Sequence, residues 1–177
     1  MKVKFLSVAT IVAFFIASCG GVDKGLVDNI TKFETDWTAM VTDVNSMSDK
    51  MTTAAAETTK ECDEMCSTES KDKKMQAALD SCKMACTASK EGMNQAVVNI
   101  NTIKEDLVKA TADFNAWKEK VMKGEIKGEE ATKALEGYNT AMAMKKEDVK
   151  ALNEAFELTM SECKSSCGAK KECCEKK

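Results

Sequence analysis

The chain has 177 residues and a formal charge of -3, and it contains no His, no Pro and no Arg, so that all 26 basic residues are Lys. Without His it lacks the usual neutral-pH general base, which excludes Ser-His-Asp and Cys-His catalysis; without Arg it lacks the planar donor that clamps phosphate and reads guanine. The expectation is a protein that is not an enzyme, has no cofactor and has no nucleic-acid partner.

The first segment is a leader. Lys2 and Lys4 precede an apolar run of twelve residues, Phe5 to Ile16, and small residues then lead into Cys19. Twelve is too few to span a bilayer, which needs about 20, and the arrangement is that of a secretory signal. The stretch Ile16-Ala17-Ser18-Cys19 resembles the lipobox of bacterial lipoproteins, with Ile16 and Ser18 as variants of the first and third positions. That resemblance implies removal of residues 1–18, a diacylglycerol on the sulfur of Cys19 and acylation of the new amino terminus, followed by a tether over 19–24. Loss of Lys2 and Lys4 takes the formal charge from -3 to -5. Gly20 stands where an Asp would resemble the inner-membrane retention signal, so an outer-membrane location is favoured over an inner one.

The remaining 159 residues make one domain with long apolar seams. Leu26, Ile30, Phe33, Trp37, Met40, Val44, Met47, Met51 and Ala54 alternate steps of four and three, the heptad pattern of a helix that packs on others. A second seam runs Met75, Leu79, Cys82, Cys86, Ser89, Met93, Ala96, Ile100, Ile103, Leu107, Ala110, Phe114, Trp117, Val121. The third runs Ala131, Leu135, Tyr138, Met142, Lys145, Val149, Leu152, Phe156, Thr159, Cys163. Lys145 is the one charge on a seam, to be read as a snorkelling or register-setting residue. Three helices are predicted, over about 25–67, 72–122 and 129–167, with turns at Ser67 to Lys73 and around Gly124 and Gly128.

The seams fit one another. Facing residues of antiparallel helices have position numbers with a constant sum, and the first two seams match throughout at 147, the second and third at 252. One layer should hold Phe33, Phe114 and Tyr138, and the next Trp37, Ala110 and Met142. Gly92 is expected near Ala54 to Ala56. The predicted fold is all-α: an elongated, coiled-coil-like antiparallel three-helix bundle over 25–167 with a cysteine-rich end and a cysteine-rich tail over 168–177.

The cysteines fall at that far end. Cys62 and Cys66, then Cys82 and Cys86, are twin CxxxC pairs whose numbers match at 148, within one residue of the hydrophobic register. Residues i and i+4 share a helix face, so the pairs form a ladder with Cys62 opposite Cys86 and Cys66 opposite Cys82, and an oxidising compartment would make both rungs disulfides. Residues 62–86 resemble the twin-CxxxC helical hairpins of the small chaperones of the mitochondrial intermembrane space. The resemblance supports the connectivity and carries no activity. Cys163 and Cys167 form a third CxxxC, and Gly168 is expected to end the helix, so that Cys173 and Cys174 fold back to bond with them. Eight thiols permit 105 connectivities, and which of Cys163 and Cys167 bonds to which of Cys173 and Cys174 stays open.

The alternative chemistry is a soft-metal site. Met65, Met84 and Met160 lie near the same end, and thiolate with thioether selects Cu(I), while clustered thiolates also suit Zn. In composition this end resembles the cysteine-lined helical bundles that store copper. A thiol-redox role comes third, because CxxxC lacks the CxxC spacing of thioredoxin-like proteins. The terminal Lys177 resembles the lysine that joins the major outer-membrane lipoprotein to peptidoglycan, without the Tyr-Arg that precedes it there. The preferred expectation is a lipid-anchored helical rod, held to the membrane through Cys19, that projects its cysteine-rich end by roughly 60 Å and serves as a spacer or interaction protein of the cell envelope.

Overall fold

The computed structural model describes residues 22–67 and 69–175, except for the side chains of Met65, Cys66 and residues 166–175. The leader and Cys19 lie outside the described residues. Three helices, α1 (Lys24–Cys66), α2 (Lys73–Met122) and α3 (Gly128–Glu175), pack on one another, and there is no strand among the described residues. The all-α three-helix bundle predicted from the seams is the observed fold. No described helix is long and apolar enough to cross a membrane.

Local chemistry sets the helix ends. The Asp23 side chain accepts from the Gly25 N–H at 2.8 Å, and Asp72 Oδ1 accepts from the N–H groups of Lys74 and Met75 at 2.8 and 3.1 Å. These carboxylates satisfy donors that the first turn leaves unpaired. At the other end of α2, Gly124 takes a φ of 72°. Its N–H donates to the Val121 carbonyl and that of Glu125 to the Lys120 carbonyl, both at 2.9 Å, which is a Schellman stop. A side chain at Gly124 would be strained in that left-handed conformation.

The core follows the seams on α2 and α3. Every α2 residue that is fully buried, from Leu79 to Val121, is a seam residue, and on α3 Leu135, Met142, Val149, Phe156 and Cys163 are buried at intervals of seven. The layers meet as the register requires. The Phe33 and Phe114 ring centroids are 4.6 Å apart, Tyr138 stands edge-on to Phe114 at 5.2 Å, and Trp37 and Trp117 flank them. Trp37 also donates from Nε1 to Thr111 Oγ1 at 2.8 Å, giving the buried indole a polar partner.

On α1 the seam slips. Beyond Val44 the buried residues are Ser48, Met51, Ala55, Thr58 and Cys62, whereas the predicted Met47 and Ala54 are half-buried. Two steps of four, Met40 to Val44 to Ser48, replace a four and a three. The reason is geometric: an α-helix has 3.6 residues per turn, so a strict heptad stripe drifts about 20° per repeat and an inserted step of four resets it. Ser48 is tolerated in the core because its hydroxyl meets Asn101 Oδ1 at 3.1 Å and Lys104 Nζ at 3.4 Å.

Two further expectations, at Gly92 and Gly168, are corrected. Gly92 lies against α3, not α1: a Cβ there would meet Thr159 Cγ2 at 3.2 Å. Lys145 ties α3 to α2 by reaching Asp106 at 3.3 Å. Gly168 does not end α3, which continues to Glu175. A glycine inside a helix costs only about 1 kcal/mol relative to Ala, and no proline follows to enforce a stop. The expected pairing of Cys163 and Cys167 with Cys173 and Cys174 involves three side chains, those of Cys167, Cys173 and Cys174, that lie outside the described ones.

Candidate thiol site

The slip in α1 creates the far-end site. A strict heptad continued past Val44 would place Glu61 and Met65 on the core side; with the inserted step, Cys62 arrives there, wholly buried. The α2 seam brings Cys86 and the α3 seam brings Cys163, each 2% exposed. The three sulfurs, one from each helix, lie within 4.8 Å of one another. Cys62 Sγ and Cys163 Sγ are in contact at 3.2 Å, and Cys82, one turn before Cys86, belongs to the same buried cluster.

The surroundings are small and polar. The neighbouring layer holds buried Thr58 and Ser89, whereas the ring–ring contacts among the described residues all lie towards the opposite end of the bundle. Lys90, one turn beyond Cys86, pairs with Asp63, the residue after Cys62, and ties α2 to α1 at this level. As a partly exposed ion pair it contributes at most about 1 kcal/mol.

The structure therefore brings together the first rung of the predicted ladder, Cys62 and Cys86. The second rung includes Cys66, which lies outside the described side chains, as do Cys167, Cys173 and Cys174. Cys163, expected to bond to the tail, joins the first rung instead. The thioethers contribute less than the composition suggested. Met84 is 76% exposed, Met160 packs against the main core, and Met65 lies outside the described side chains.

Sequence reasoning missed the meeting of Cys62 with Cys163 although the signal was present. The register between α2 and α3 sets Cys163 level with residue 89, within one turn of Cys86, and Cys86 had already been set opposite Cys62. Pairing with the local tail requires Gly168 to stop the helix. Chemically, three thiols in one layer can form a disulfide between two of them or bind one thiophilic ion with all three. Compared with protein-family models, curated proteins and solved structures, the chain matches none.

Proposed function

We propose that this chain is a lipid-anchored helical rod of the bacterial cell envelope, a non-enzymatic spacer or interaction protein that holds a cysteine-rich end away from the membrane. The supporting observation is the junction between anchor and rod. α1 begins at Lys24, five residues after Cys19, and runs 43 residues in one piece, about 65 Å at 1.5 Å per residue. A lipid on Cys19 would place the aromatic end of the bundle next to the membrane. From Leu26 to Cys62 the same helix spans about 54 Å, so the thiol layer would stand well clear of the headgroups.

The anchor is the part to test first. In cells fed an acyl label, the wild-type chain is expected to take up label and to lose residues 1–18, read by intact mass. Cys19→Ala is expected to take up none and to keep its leader. A Cys19→Ala chain that is cut after Ser18 and still labelled would refute the anchor.

A further inference from the structure

We propose that Cys62, Cys86 and Cys163 form a three-sulfur binding site for a single Cu(I) ion. The inference goes beyond the rod and is independent of the lipid on Cys19. It rests on the placement of one thiol from each of three helices in one buried layer, with all sulfurs mutually within 4.8 Å.

Geometry favours an ion at the centre. A metal–sulfur bond of about 2.3 Å sets the sulfurs of a planar three-coordinate site roughly 4 Å apart. Cys62 and Cys163 stand at 3.2 Å and no sulfur pair of the three is more than 4.8 Å apart, so side-chain adjustments of about 1 Å would seat the ion. A disulfide engages sulfurs two at a time and would leave the third pressed against it. One ion uses all three.

The donor set selects the ion. Thiolate favours soft d10 metals, Cu(I) and Zn(II) foremost. Zn(II) is almost always tetrahedral and takes a fourth donor, whereas Cu(I) is satisfied by three sulfurs. Among the described side chains, the exposed position of Met84 and the packing of Met160 against the main core leave thiolate as the working donor. Each sulfur that coordinates gives up its proton, so binding releases protons and weakens as pH falls. Burial of all three sulfurs keeps water and competing ligands from the ion.

The test uses the full chain as it is produced, reduced and then freed of reductant under nitrogen. It is titrated with Cu(I) against a chromophoric Cu(I) chelator. One Cu(I) per chain should be withheld from the chelator, with only sulfur in its coordination shell by X-ray absorption, and excess Zn(II) should not displace it. Cys163→Ser, which conserves size, should lower the affinity by more than the roughly 10–100-fold that follows loss of a group merely supporting a ligand. Cys82→Ser should retain the ion. Circular dichroism of each variant shows whether the bundle has formed, and the wild-type X-ray spectrum decides the point if a variant has not. The proposal is overturned if the chelator strips all copper, if Zn(II) displaces it, or if Cys82→Ser loses as much as Cys163→Ser. It is equally overturned if protein trapped by alkylation in intact cells carries Cys62, Cys86 or Cys163 in a disulfide.

Discussion

Replacing Phe33 by Ala removes the ring on which the membrane-proximal half of the bundle converges. Phe33 is 2% exposed, and its centroid lies 4.6 Å from Phe114, 5.6 Å from Trp37 and 6.0 Å from Tyr138, so it touches both other helices at once. A buried Phe→Ala change costs about 3–5 kcal/mol, and the rings around this cavity cannot collapse into it without giving up their own contacts. For a domain of this size each kcal/mol lowers the midpoint by about 2–4 °C, so a drop of about 6–20 °C is expected. Urea unfolding followed by circular dichroism gives the free energy, with Leu158→Ala as the control. Leu158 is 60% exposed and its truncation should stay within about 0.5 kcal/mol. A loss below about 1 kcal/mol for Phe33→Ala, or an equal loss for Leu158→Ala, would refute the three-way layer and the register on which it rests.

Two glycines offer a comparison within helices. Gly137 has nothing within 4 Å of a built Cβ, so Gly137→Ala should stabilise by about 0.5–1 kcal/mol. Gly92→Ala gains the same backbone term but must move Thr159, and should stabilise clearly less; a larger gain at Gly92 in thermal melts would show that α2 and α3 are not in the stated contact. Burial of Tyr138, with a smaller contribution from the Asp113 carboxylate, raises its pKa above the ordinary 10. A raised acid pKa means that the stabilising contribution is intact below pH 10 and is lost as pH climbs through the folded value. Tyr138→Phe should therefore flatten part of the alkaline loss of stability, and superimposable pH profiles for the two proteins would contradict it.

The fold was legible because apolar side chains recur where a packed helix needs them. Phe114 and Tyr138 face each other at the positions that counting alone assigned. Counting failed at Met47 because a flexible apolar side chain looks like a better core residue than Ser48. It took the real helical pitch, together with Asn101 and Lys104 as partners for the Ser48 hydroxyl, to reverse that choice. The thiol site was half legible. Cys62 and Cys86 could be matched from numbers, whereas Cys163 was drawn to the tail by Gly168, a residue whose local preference is weak against a continuing helix. Lys145 could be seen to be out of place, but its partner Asp106, off the seam of α2, could not be chosen from several nearby carboxylates.

Both tryptophans belong to the aromatic stack, and Trp37 is separated from Cys62 by 25 residues of α1, about 38 Å. Intrinsic fluorescence is therefore a local probe that sees one end of a long object, while ellipticity averages over its whole length. Where the thiol end opens ahead of the stack, the ellipticity transition starts before the emission changes. The two curves coincide only while the molecule behaves as one cooperative unit. Their separation measures how far the two ends are mechanically linked, and any single midpoint quoted for this protein belongs to the probe that reported it.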